Sequence, residues 1–199
     1  MKNIIVVLIA MLLAITFTSV FAEFNPAGAR LLIHAGGNLD SAGNIRLTGD
    51  FVPSGNLING LYPMACAELK FKVNNWLSIA PVLGYDMTAN EAILSFRMMP
   101  GDEINWAWID FEFQPTSNSL YWFGRIDHQL SPKVAVGLEL ESFGSSQDIS
   151  KMNNAGGINV AWFADKNISF DLALRASKNL TTGKVGPQIF IRCHVFGTD

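Results

Sequence analysis

The chain has 199 residues, long enough for one domain with a full core, and its 14 Lys and Arg against 17 Asp and Glu give a net charge of −3. Charged residues make up 16% of it while hydrophobic residues make up 49%, against about 25% charged in an average soluble domain. Without a basic run, this balance excludes a nucleic-acid-binding face, and two cysteines without ligand spacing provide neither a disulfide scaffold nor a metal motif.

Residues 1–22 have the form of an export signal. Lys2 is the only charge before Glu23, the run from Ile4 to Phe17 is apolar apart from Thr16, and Val20 and Ala22 place small residues before a cleavage point. Residues 23–199 are then expected to form a single β-barrel domain. Ten stretches of alternating apolar and polar residues run along it: 29–38, 62–73, 76–87, 91–98, 104–114, 119–129, 133–143, 156–164, 168–178 and 185–196. A period of two gives a strand with two chemically different faces. Short links carry turn chemistry, as at Asn74-Asn75, Pro100-Gly101-Asp102, Ser131-Pro132-Lys133 and Asp165-Lys166-Asn167. They alternate with more variable links: 39–61, 88–90, 115–118, 144–155 and 179–184. Tight turns at one rim and longer loops at the other are the plan of an antiparallel up-and-down barrel of about ten strands, eight being the smaller alternative. An even number places both ends of the barrel at the turn rim.

One face, containing Leu69, Phe71, Leu83, Leu94, Phe111, Ile126, Leu138, Leu140, Val160 and Leu172, carries no charge. The opposite face holds Glu68, Arg97, Asp110, Glu112, Arg125, Asp127, Glu139, Glu141, Asp171, Arg175 and Arg192, together with Lys70, Lys72 and Glu91. Lipid outside and a polar lumen inside demand this division, because Lys or Arg at a bilayer midplane costs about 2–4 kcal/mol. The polar face is therefore expected to form a lumen ion-pair network, since buried charges persist when paired. Counting back from the Ser131-Pro132-Lys133 turn sets Arg125 opposite Glu139, and the 179–184 link sets Asp171 opposite Arg192. Strands of about nine to twelve residues can cross a bilayer at a tilt. Aromatic residues near strand ends read as interface girdles: Trp76, Trp106, Trp162 and Phe196 at one rim, Tyr85, Phe113, Trp122 and Phe143 at the other. A soluble barrel inverts the faces and encloses an apolar ligand.

Catalytic readings are weaker. Asp127 and His128 are adjacent in a strand and point to opposite faces, so they form no acid–base pair. His34 and His194 fall on the polar face, where either could meet a carboxylate. The acid pairs Asp110/Glu112 and Glu139/Glu141 follow from same-face alternation as readily as from a glycosidase site. Gly36-Gly37 and Gly156-Gly157 lack the strand–helix setting of a phosphate loop. No cofactor or metal is expected.

By this pattern, which continues through the terminal stretch IFIRCHVF, the mature region resembles small bacterial outer-membrane β-barrels of the OmpX and OmpW kind. The resemblance implies lipid and the outer-membrane assembly machinery as partners, the latter reading a terminal aromatic residue. Here Phe196 lies three residues before the end, with polar-face parity. The expected function is a non-enzymatic outer-membrane barrel, a structural or surface protein or a narrow pore, with a surface ligand at loops 39–61 and 144–155. The alternatives are an exported soluble barrel, periplasmic or secreted, that binds a small apolar ligand, and a membrane-barrel hydrolase.

Overall fold

The structure, a computed structural model, describes residues 28–56, 60–148, 150, 152–179 and 182–197; the export signal read at 1–22 lies outside them. Eleven strands form one closed barrel among these residues: β1 (Gly28–Asn38), β2 (Ile45–Asn56), β3 (Gly60–Asn74), β4 (Leu77–Asp86), β5 (Glu91–Pro100), β6 (Asn105–Gln114), β7 (Ser119–Ser131), β8 (Val134–Ser145), β9 (Asn153–Asp165), β10 (Ile168–Asn179) and β11 (Val185–Phe196). Each strand pairs antiparallel with the next, and β1 closes the barrel in parallel against β11, with Gly28 opposite Phe190 and His34 opposite Phe196.

The ten expected strands all appear, with ends shifted by three residues or fewer. Several expectations are corrected. The segment 39–61 is not a loop: Ile45–Asn56 forms β2, so the connection after β1 is a turn over 39–44 at the short-turn rim. The alternation of Ile45, Leu47 and Phe51 against Arg46, Thr48 and Asp50 is present there, but Gly49 and Pro53 interrupt it as strand-weakening residues. The extra strand makes the count odd, which forces the parallel closure. It also places Gly28 at the loop rim and Phe196 at the turn rim, so the two ends of the barrel do not share a rim. The second proposed ligand loop, 144–155, narrows to 146–152 between β8 and β9.

Turn residues act through their side chains. Asn74 Oδ1 accepts the Trp76 N–H at 2.9 Å, and Asp165 Oδ1 accepts the Asn167 N–H at 2.7 Å. Asp102 Oδ1 accepts the N–H groups of Asn105 and Ile104, and these backbone bonds hold its exposed carboxyl below the usual range. Pro81 causes no bulge: the β3–β4 register passes from Glu68↔Val82 to Phe71↔Ile79 without a shift. Pro187 precedes Phe190, where β11 starts to pair with β1.

Burial fixes which face is which. Ile126 is 58% exposed and Leu138 59%, while their neighbours Asp127 and Glu139 are 2% and 1% exposed. The apolar face points out of the barrel and the charged face points in. This removes the alternative of a soluble barrel with an apolar interior, because the apolar side chains are outside and the interior is ionic. Trp106 and Phe196, read as girdle residues, instead line the lumen.

Asn118 ends the 115–118 link with φ of 53°, and its carbonyl accepts the Ser146 N–H at 2.8 Å. A β-branched side chain in this left-handed region costs about 1–2 kcal/mol. Asn118→Val is expected to lower the unfolding free energy in detergent by about that amount, and Asn118→Gly to leave it nearly unchanged, as measured by urea titration of heat-modifiable gel migration.

Candidate functional site

The lumen is built from even-numbered positions on β1, β2, β3, β4, β6 and β11 and from odd-numbered positions on β5, β7, β8, β9 and β10; charged groups on neighbouring strands would repel unless their partners stand within reach. Arg97 on β5 gathers three carboxylates. Its Nε donates to Asp110 on β6 at 2.9 Å, and its Nη1 donates to Asp50 on β2 and Glu68 on β3, each at 2.8 Å. Its guanidinium also lies over the Trp108 ring, 5.2 Å from the centroid. Ser95 donates to the second oxygen of Asp110 at 2.6 Å.

Two strands further on, Arg125 on β7 donates to Asp127 through Nε and to Asp171 on β10 through Nη1 and Nη2. Between these two arginines runs a line of four side chains. His34 Nδ1 lies 2.8 Å from Asp50, His34 Nε2 lies 3.2 Å from His194 Nδ1, and His194 Nε2 lies 3.1 Å from Asp171.

Towards the loop rim a second cluster fills the lumen. Glu139 on β8 accepts a two-pronged contact from Arg192, both bonds 2.8 Å, and a third bond from Arg175 at 3.1 Å. Arg175 also reaches Glu141 at 2.9 Å. The Phe190 ring lies under the guanidiniums of Arg175, Arg192 and Arg30, at 4.5, 4.7 and 5.0 Å. Arg30 donates to the Tyr121 hydroxyl at 3.2 Å, and Glu112 stands opposite Tyr121 in the β6–β7 register.

Two glycines make the bridges possible. Gly137 on β8 stands between Asp127 on β7 and Asn159 on β9, and Asn159 Nδ2 donates to Asp127 over it at 2.7 Å. A Cβ on Gly137 would lie 2.6 Å from Asp127 Oδ1 and 2.9 Å from Asn159 Oδ1. Gly157 on β9 stands likewise between Glu139 and Arg175, which bond across it. Residues two strands apart meet because the strand between them has no side chain there.

A cavity of about 670 Å³ occupies the remaining lumen. It runs from the turn rim, at Arg46, Lys70, Trp106 and Lys166, inward to the layer of Arg30, Glu112 and Tyr121. Arg30 and Arg192 line its inner end, while Arg175, Glu139, Glu141 and Phe190 lie outside its lining, with the Arg175 side chain fully buried.

The registers place Arg125 opposite Glu139 and Asp171 opposite Arg192. The ion pairs do not follow them: Arg125 holds Asp171, and Arg192 holds Glu139. Sequence reasoning missed Asp50, which lies in the segment read as a loop, and Arg30, whose parity on β1 matches that of His34 and could have revealed it. His128 is exposed and bonds Asn105 at 2.8 Å. Both cysteines are free.

No family model and no curated protein matches the chain. Solved structures similar to it include a KdgM porin, with a TM-score of 0.56, 14% identity and coverage of 84% of this chain and 91% of that chain, and a KdgM porin in complex with disordered oligogalacturonate, with a TM-score of 0.55, the same identity and the same coverage. The chain shares their β-barrel fold. They support the barrel class inferred from the sequence and do not carry the likeness to OmpX or OmpW in particular.

Glu139 is the centre of the loop-side cluster. Glu139→Gln leaves Arg175 and Arg192 without their shared counter-charge and is expected to lower the unfolding free energy by about 3–5 kcal/mol. Glu103→Gln, in an exposed turn, is expected to change it by less than about 0.5 kcal/mol. Paired urea titrations in one detergent check both.

Proposed function

We propose that the protein is a non-enzymatic outer-membrane β-barrel: a surface or structural protein, or a narrow pore, with lipid as its main partner. One observation carries this reading: a closed barrel exposes an uncharged apolar face outward and turns its charges into a lumen that they bridge. The bridging favours little or no conductance. Arg97 and Arg125 reach partners three strands away, and the Phe190 cluster fills the lumen towards the loop rim.

A hydrolase needs a nucleophile beside an available base. Ser169 stands opposite His194 in the β10–β11 register, but both ring nitrogens of His194 are engaged, one by His34 and one by Asp171. Both nitrogens of His34 are engaged in the same way. The geometry therefore supports a structural role for these histidines.

An oligogalacturonate, named with one of the similar porins, carries a carboxylate on each sugar. In this chain the central guanidiniums of Arg97, Arg125 and Arg192 already hold carboxylates of their own. That arrangement offers a polyanion no open basic track through the centre of the lumen. Outer-membrane placement also implies delivery by the assembly machinery.

Planar-bilayer recording of the purified protein tests the reading, with small or absent conductance expected. Large, steady openings would overturn the bridged lumen. The lipid face is tested by Leu138→Arg, which is expected to cost about 2–4 kcal/mol of folding free energy in lipid vesicles if Leu138 faces the bilayer interior. A cost near zero would contradict the membrane placement.

A further inference from the structure

The line Asp50–His34–His194–Asp171 crosses four consecutive strands of the wall, β2, β1, β11 and β10, and so spans the parallel seam that joins the two ends of the barrel. Its three contacts are 2.8, 3.2 and 3.1 Å long. The two imidazole rings are nearly parallel, at 8°, and Phe196 stacks on both, at 15° and 9°. This stacking holds the ring planes in place.

Three hydrogen bonds need three protons. The Asp50 carboxylate also accepts from Arg97 and the Asp171 carboxylate from Arg125, so both act as acceptors, and the ring nitrogens facing them must be the donors. That uses one proton on each ring. The central contact, His34 Nε2 to His194 Nδ1, needs one more. With none, two lone pairs face each other; with two, two N–H groups do.

We propose that His34 and His194 share a single proton and form a pH-dependent latch across the β1–β11 seam, closed while one imidazole of the pair is charged and weakened on either side of that state.

The surrounding charges favour such an arrangement. The groups facing the pair are Asp50 from β2, Asp171 from β10, Arg97 from β5, and Arg125 with Asp127 from β7, while Glu68 and Asp110 stand behind Arg97. Carboxylates outnumber guanidiniums in this group, so one imidazolium reduces the imbalance. A second would place two positive rings side by side. The pair needs no transported solute to act, so the latch stands apart from the pore reading, and its test uses no current.

The test uses the full purified protein in detergent micelles with nitrogen-15-labelled histidine. Between about pH 5 and pH 9, which brackets imidazole titration, a scalar coupling across the His34–His194 hydrogen bond is expected over an intermediate interval and should fade on either side of it. The urea unfolding rate should pass through a minimum in that same interval and rise about tenfold or more on each side, as expected for losing a hydrogen bond to a charged group. The double variant H34Q/H194Q places an amide donor and acceptor at each position without a titrating proton, and should flatten the profile. Absence of coupling across the whole range, or the same minimum in the double variant, overturns the latch. If the variant does not fold, the coupling in the wild-type protein decides alone.

Discussion

The carboxylates and guanidiniums inside the barrel must find each other across the lumen, and the rest of the structure follows from that need. A strand in a barrel wall has two faces, and an apolar surrounding tolerates charge on neither its own side nor, unpaired, on the other. Every charge sent inward therefore needs a partner, and adjacent strands do not always supply one at the right height. The protein meets the need with long arginines that reach two or three strands away, and with glycines that clear the strand between. Glu139 and Arg175 meet over Gly157 because that position has no side chain to separate them.

The two ionic clusters divide the lumen by height. Near the loop rim, Glu139 and Glu141 neutralise Arg175 and Arg192, and Phe190 fills the space beneath the guanidiniums. Near the turn rim, Arg97 on β5 reaches Asp50 on β2 and Arg125 on β7 reaches Asp171 on β10, and the histidine pair links these two carboxylates across the seam. What remains is a cavity entered from the turn rim. The same interactions that satisfy buried charge also fill the lumen, so stability and the free width of the lumen are set by one set of side chains.

The fold was largely legible in the sequence because parity is a local property. Knowing that Ile126 and Leu138 lie on one face and Arg125 and Glu139 on the other needs no tertiary information. β2 escaped because Gly49 and Pro53 break the strand pattern locally, while pairing on both sides, with β1 and β3, holds it in the structure. The odd strand number and the parallel seam follow from that one omission. Ion-pair identity was not legible, because an arginine's reach exceeds the spacing between strands. Arg125 stands opposite Glu139 yet bonds Asp171, and Arg97 takes Asp50 from a strand that the pattern had hidden. The His34–His194 contact depends on barrel closure, which brings positions 160 residues apart onto neighbouring strands.

The most direct test of this account is a double-mutant cycle between Glu139 and Arg175, using Glu139→Gln, Arg175→Met and the double variant, with folding free energies measured in lipid vesicles. Direct bridging over Gly157 predicts a coupling energy of about 1–3 kcal/mol. Additivity within about 0.3–0.5 kcal/mol would contradict the claim that charges paired across the lumen hold the barrel together.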